Sequence, residues 1–299
     1  MKYRVPEQKK IRVILDTDAK NEADDQYAIV QALLTKKFLM RGIIGAHFGQ
    51  EDSMEKSYEE CRNLVEIMEM DSVKICRGAE KKIESRENYE YSEGARLIVE
   101  EAMREDTHPL FVAFLGPITD LACAYLKHPE IEGRLTAVWV GGGVYPDGCN
   151  EFNLGNDILA ANIIMQSGIE LWQIPMNVYS RMTVSLAELE ERVSHCGEIG
   201  RYLFEQLDEF NMRKADQPFW PRGEVWSLGD STAIGYMMDG MEFMMNYVEA
   251  PHIDGEMHYH YDGKGRKIRV YHDINSRFIL EDFFIKLKNF ADMQTAGIV

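Results

Sequence analysis

The segment Ile11-Arg12-Val13-Ile14-Leu15-Asp16-Thr17-Asp18-Ala19-Lys20-Asn21-Glu22-Ala23-Asp24-Asp25 passes from an apolar run into a helical pattern through a cluster of acids. Ile11 to Leu15 reads as a buried strand, and Ala23 to Leu34 (ADDQYAIVQALL) carries apolar residues at helical spacing. Between them, Asp16, Asp18, Glu22, Asp24 and Asp25 put five acids within ten residues. A strand-to-helix turn at the carboxyl end of a strand is where open α/β sheets usually bind ligands. Acids this close repel one another unless something neutralises them. A hard divalent cation with oxygen ligands does so. The plainer alternative is that Asp24 and Asp25 favour a helix N-terminus and the remaining acids are solvated turn residues.

Outward from this turn, strand-like and helix-like runs alternate over the first 175 residues. Apolar runs lie at Met40–Ala46, Val73–Cys76, Leu110–Leu115, Thr136–Val140 and Glu170–Ile174. Helical patterns fall between them, at about Met54–Met68, Ser92–Met103, Ile118–Leu126 and Ile158–Gln166. Such alternation predicts βαβ units, hence an α/β fold with a mostly parallel open sheet flanked by helices. Beyond residue 180 the pattern predicts helices over Ser185–Val193, Glu198–Arg213, Asp230–Met238 and Leu280–Phe290. It also predicts a hairpin of Met257–Tyr261 with Lys267–His272 around Asp262-Gly263-Lys264-Gly265. The expectation is one domain over 1–299, with a core of about 10–240 and a C-terminal hairpin and helix over 241–299.

A net charge of -17 argues against a nucleic-acid surface, which needs clustered Lys and Arg. It does not exclude a free nucleoside. Gly141-Gly142-Gly143 follows a strand but lacks the spacing and the Lys of a phosphate loop. No apolar run is long enough to span a bilayer, and the N-terminus shows no secretory pattern. The five cysteines are widely spaced with no CxxC pair, so reduced thiols in a cytoplasm are expected.

The acid turn resembles the opening motif of the inosine/uridine-preferring nucleoside hydrolases, Asp-x-Asp-Pro-Gly-x-Asp-Asp followed by a helix. Here the pairs are Asp16/Asp18 and Asp24/Asp25, separated by five residues instead of three and without the Pro-Gly. Three later segments are similar to the same family. Leu115-Gly116-Pro117-Ile118-Thr119-Asp120-Leu121-Ala122 matches its Gly-Pro-Leu-Thr-Asn-Leu-Ala turn, where the Thr gives a carbonyl to calcium. Glu151-Phe152-Asn153 matches its ribose-holding Glu-Phe-Asn. Leu228-Gly229-Asp230 lies where the family has His-Asp-Pro, with Gly229 in place of the His that helps protonate the leaving base. The loop Gly45–Gln50 (GAHFGQ) puts Gln50 where the family has an Asn.

The resemblance implies a nucleoside hydrolase-like fold with a Rossmann-like core. It implies hydrolysis of an N-ribosidic bond through an oxocarbenium-like transition state. One calcium per chain would be held by Asp18, Asp25, Asp230 and the Thr119 carbonyl, with Asp18 also the general base. Asp24, Gln50, Glu151 and Asn153 would bind substrate, Glu151 and Asn153 pointing the same way from an extended segment. Asp16 would buttress from behind. Candidates on the leaving-group side are His47, Tyr179 and Trp226. The partner is a small nucleoside or ribosyl compound, and the family implies a homodimer or homotetramer. Two other readings are a calcium-dependent ribosyl-binding or sensor protein on the same scaffold, and a hydrolase of a ribosyl compound that is not a nucleoside. A metal-dependent phosphatase is disfavoured by the scarcity of Lys and Arg near the acid turn, where Lys20 is the sole cation. His258 and His260 sit two apart and present a metal-like pair, though no third ligand accompanies them.

Overall fold

A computed structural model describes residues 3–218 and 220–297. Its strands are β1 (Ile11–Thr17), β2 (Phe38–Gly45), β3 (Ile75–Arg77), β4 (Leu110–Phe114), β5 (Thr136–Val140), β6 (Glu170–Ile174), β7 (Thr183–Ser185), β8 (Val225–Ser227), β9 (Met245–Glu249), β10 (His252–Ile253), β11 (Tyr259–His260) and β12 (Lys267–Tyr271). Its helices are α1 (Asp25–Leu33), α2 (Ser53–Ile67), α3 (Glu93–Ala102), α4 (Thr119–Lys127), α5 (Phe152–Asn156), α6 (Ile158–Gln166), α7 (Met176–Tyr179), α8 (Leu186–Arg192), α9 (Gly197–Arg213), α10 (Ser231–Met238) and α11 (Ser276–Thr295).

Eight strands form one open sheet in the order β3-β2-β1-β4-β5-β6-β12-β9. Every pairing in it is parallel except β12 with β9. β1 lies in the interior, between β2 and β4. All seven of its residues are buried, which is why the strand reads as a continuous apolar run rather than an alternating one. Its side chains nevertheless alternate between two cores. Val13 and Leu15 pack with α1, α2 and the helices after residue 185. Ile14 packs on the opposite face with α3, α4 and α6. The result is a three-layer α/β/α sandwich. Among the described residues, no helix is long and apolar enough to cross a membrane.

The elements expected in the first 175 residues all form, with ends shifted by a residue or two. The expected C-terminal hairpin does not. Lys267–Tyr271 instead enters the main sheet, pairing in parallel with β6 (Arg269↔Trp172, Val270↔Gln173) and antiparallel with β9 (Lys267↔Glu249 through Tyr271↔Met245). Tyr259–His260 pairs with His252–Ile253 in a separate two-stranded ribbon. Ile268, Val270 and Tyr271 are buried in the large sheet, whereas an isolated hairpin in water is marginal. Burial therefore overrides the Asp-Gly turn signal. His260 Nε2 lies 2.8 Å from Asp254 Oδ2, an exposed pair beside the ribbon, and among the described residues His258 and His260 belong to no group that could hold a metal.

Candidate active site

The carboxyl ends of β1, β4 and β5 open into a cavity of about 590 Å³, closed from above by α7, the end of α9 and the start of α10. Asp18, Asp24, Asp25, Asp230, Gln50, Glu151, Asn153 and Tyr179 all line it. So does Glu22, a residue with no expected role.

Asp18 follows β1 and is buried, with Oδ2 lacking any hydrogen-bond partner. Gly116 lies directly beneath it. A Cβ at 116 would stand 2.8 Å from the Asp18 Cγ, so only glycine lets this carboxylate sit where it does. Asp24 and Asp25 begin α1, and Asp230 begins α10. One carboxylate oxygen from each of Asp24, Asp25 and Asp230 can be chosen so that all three lie within 4.8 Å of one another. Asp25 accepts a short hydrogen bond from Thr17 Oγ1, and Asp24 Oδ2 accepts the Asp230 N–H at 3.3 Å. Asp24 Oδ1 has no partner.

Burial and mutual repulsion raise every carboxyl in this group. Asp18 and Asp230 are held well above the usual carboxylate range, chiefly by desolvation. Asp25 is pushed up to about 8 by burial and the neighbouring Asp24 charge. Asp16, fully buried with both oxygens unpartnered, is raised by desolvation and by facing Asp120 and Asp18. Unpaired carboxylates converging in a buried cleft are costly without a counter-charge. A hard divalent cation satisfies this oxygen-only donor set, so the residues present fit a metal.

The long turn is anchored without disturbing the acids. Lys20 N and Asn21 N both donate to the Asp18 carbonyl. Ala19 and Ala23 are buried, and their carbonyls accept from Gln26 Nε2 (2.7 Å) and Gln206 Nε2 (3.0 Å). Lys20 turns away from the cavity, its Nζ lying 2.8 Å from Glu60 on α2. The turn's only cation is thereby spent outside the site. Glu22, half-buried, lines the cavity, and desolvation with the nearby Asp24 charge holds its carboxyl well above the usual range.

Glu151 is not on an extended pair with Asn153. It caps the N-terminus of α5, accepting from Asn153 N and Leu154 N, from Gly142 N at 2.7 Å and from the Tyr179 hydroxyl at 2.9 Å. Asn153 sits in the first helical turn, and its Nδ2 donates to the carbonyls of Leu115 (2.7 Å) and Val140 (2.8 Å). These two residues thus tie together the ends of β4 and β5 at the cavity floor. Gln50 is exposed at the rim.

Three expected residues stand apart. Thr119 is buried, its hydroxyl donating to Asp157 Oδ2 at 2.9 Å and lying 3.0 Å from His47 Nε2. It does not line the cavity, where Leu115 does. His47 is buried in that network, and desolvation with the nearby Lys82 lowers it to about 4, leaving a neutral ring behind the site. Trp226 is buried against Trp220 and Phe210, with ring centroids 5.1 and 5.9 Å away, and these two rings reach the cavity in its place. A buried Trp among aromatics gives no sequence signal that separates wall from core.

The sequence model of the inosine-uridine preferring nucleoside hydrolases matches residues 13–281. The chain belongs to that family. Among curated relatives it is similar to the pyrimidine-specific ribonucleoside hydrolase RihA of Salmonella paratyphi A, 23% identical over 223 residues covering 66% of this chain and 70% of the relative. Among solved structures it is similar to a purine-preferring ribonucleoside hydrolase from Gardnerella vaginalis (TM-score 0.79, 18% identity, 94% and 99% of the two chains). It is also similar to an inosine-uridine preferring nucleoside hydrolase from Bacillus anthracis (TM-score 0.67, 17% identity, 94% and 99%). At these identities the structures speak to the fold, an open sheet flanked by helices. The family makes the chain a hydrolase of N-glycosidic bonds and gives the acid cluster a metal-dependent setting.

Proposed function

We propose that the protein hydrolyses an N-ribosidic bond using a single calcium ion, with Asp18 as general base. The observation that carries this reading is the convergence of Asp24, Asp25 and Asp230 within 4.8 Å beside Asp18, whose Oδ2 is buried and unpartnered. Asp18, Asp25 and Asp230 would hold the metal, together with a backbone carbonyl. Thr119 is the carbonyl implied by family resemblance, whereas Leu115 is the one at the cavity wall. When bound, calcium lowers the pKa of a coordinated water and orients the ribose hydroxyls.

The chain's own residues do the rest. Asp18 Oδ2 accepts the proton of the attacking water. Asp24 Oδ1 is free to accept a ribose hydroxyl. Glu151 and Asn153 rigidify the floor through four accepted and two donated hydrogen bonds, fixing the sugar's position. The acidic surroundings favour a sugar that is positive in the transition state over a neutral ground state. Asp16, whose two carboxylate oxygens have no hydrogen-bond partner, would act on the base through its charge alone. A sensor role would not need a buried carboxylate oxygen left without a partner beside the ligand, which favours turnover.

The reading is tested by release of reducing ribose from a panel of N-ribosides, with calcium or chelator, for wild type and Asp18→Ala. Calcium-dependent release abolished in Asp18→Ala is expected. Tight calcium binding with no release from any N-riboside would overturn it.

A further inference from the structure

Position 229 presents only a hydrogen to the cavity. A Cβ built there would meet the Tyr179 ring at 3.1 Å and Asp24 Oδ2 at 3.5 Å. Glu22 lines the same cavity as these two residues. The longer turn therefore brings an acid to the neighbourhood that a side chain at 229 would otherwise occupy. None of the three donors expected on the leaving-group side replaces it. The Tyr179 hydroxyl is committed to Glu151, His47 lies behind the wall against Thr119, and Trp226 is enclosed by aromatics.

The cavity is also charged in one sense. Its described lining carries six carboxylates and one cation, Lys214, an exposed residue at the end of α9. With its carboxyls ionised around one divalent metal, that lining is net negative. Phe152, Tyr179, Phe210 and Trp220 supply aromatic surface beside these acids. Aromatic faces next to carboxylates attract flat organic cations.

We propose that the preferred substrate is an N-ribosyl cation, a ribosylated pyridinium or similarly quaternised heterocycle, and that Glu22 is the specificity residue that selects it. The inference rests on the N-ribosidic hydrolase reading above and names its substrate class. In such a substrate the C1′–N bond breaks with its electron pair passing to the ring nitrogen, so the heterocycle departs neutral. The water oxygen bonds C1′ and its proton passes to Asp18. No leaving-group acid is required, which matches a site where Tyr179 is committed to Glu151 and His47 and Trp226 lie outside the cavity. A neutral nucleoside would instead release an anion into an acidic cavity.

The test compares kcat/KM for ribosylnicotinamide, uridine and inosine in the calcium-loaded enzyme, with Asp18→Ala as control, and repeats it for Glu22→Gln. Calorimetry without substrate turnover compares 1-methylnicotinamide with neutral nicotinamide in both proteins. Thermal melting confirms that Glu22→Gln is folded. The expected result is ribosylnicotinamide preferred over the neutral nucleosides. In Glu22→Gln that preference should fall on the order of tenfold or more, as for loss of a close charge partner. Cation binding should weaken in parallel. Hydrolysis of uridine or inosine with ribosylnicotinamide untouched would overturn the inference and leave the hydrolase reading standing. A preference unchanged in Glu22→Gln would overturn the role of Glu22. No hydrolysis of any of the three would remove both.

Discussion

Stripping the metal should make this fold weaken as the pH rises, and Asp25 sets the size of the effect. Its carboxyl is 1% exposed and its pKa rises from 3.8 to about 8 in the folded chain. A carboxyl whose folded pKa exceeds its unfolded one binds its proton more tightly when folded. Its protonated form therefore favours the native state, and that advantage is lost as pH rises towards 8. Between pH 5.5 and 7.5 the loss from Asp25 alone is about 3 kcal/mol. For 299 residues the unfolding entropy is about 0.6 kcal/mol per degree, so the melting temperature should fall by about 5 °C. Calcium should reverse the trend, since metal ligation needs deprotonated carboxylates and tightens with pH. At a hundredfold excess over its dissociation constant it adds about 3 kcal/mol. The assay is scanning calorimetry at both pH values, in chelator and in calcium, for wild type and Asp25→Asn. The metal-free variant, which cannot titrate here, should lose about 5 °C less than wild type over the same interval. A metal-free wild type whose melting temperature is flat or rises from pH 5.5 to 7.5 would refute the reasoning, as would equal slopes in the two proteins.

Other outcomes follow from individual contacts. Gly116→Ala places a methyl 2.8 Å from the Asp18 carboxyl, and displacing the base should lower kcat on the order of a hundredfold; an unchanged kcat would show that Asp18 is not the base. Asn153→Ala strands the Leu115 and Val140 carbonyls and should cost about 1–3 kcal/mol in urea unfolding while raising KM. A variant as stable as wild type would remove the floor role assigned to Asn153. Arg12 is buried far from the cavity, bonded to the Glu101 side chain at 3.1 Å and to the His108 carbonyl at 2.9 Å. Arg12→Met leaves Glu101 still paired with Arg104 and Arg41 but strands the Glu101 and His108 carbonyls, and should cost about 1–3 kcal/mol. Its kcat in calcium should match wild type, and a large kcat loss would contradict the separation of this pair from the site.

The sheet was legible because its strands are either wholly buried or flanked by helices with clear periodicity. β1 is buried on both faces, so an uninterrupted apolar run identified it without any alternation. The C-terminal misreading has the opposite cause. Asp262-Gly263-Lys264-Gly265 is a strong local turn signal, but Ile268, Val270 and Tyr271 gain more by closing onto β6 and β9 than onto a neighbouring ribbon. Sequence proximity carries no information about that non-local competition. The site divides in the same way. Asp18, Asp24, Asp25 and Asp230 were readable because acids at strand and helix ends have few structural uses. Thr119, His47 and Trp226 have many. Each packs inside the protein, Thr119 and His47 against one another and Trp226 among rings, so residue type alone could not place them at the cavity.

Glu22 shows how a departure from a motif carries information that the matched positions do not. Two extra residues in a turn usually loosen it, yet here Ala19 and Ala23 are buried and their carbonyls are held by Gln26 and Gln206. The added length cannot spread outward, because Lys20 is tied to Glu60 on α2. The one remaining direction is into the cavity, where Glu22 meets Asp24. Adding a carboxyl to a cleft already crowded with them raises the electrostatic cost of the folded chain. Glu22→Gln should therefore stabilise the metal-free protein at neutral pH, by about 1–2 kcal/mol if one close like-charge contact is relieved, or about 2–3 °C in melting temperature. The same substitution should weaken binding of 1-methylnicotinamide. A gain in stability joined to a loss of cation affinity is the signature of a residue kept for its ligand rather than its fold. A loss of both would mean that Glu22 is part of the turn's own framework, and the substrate class would then have to be read from the aromatic wall alone.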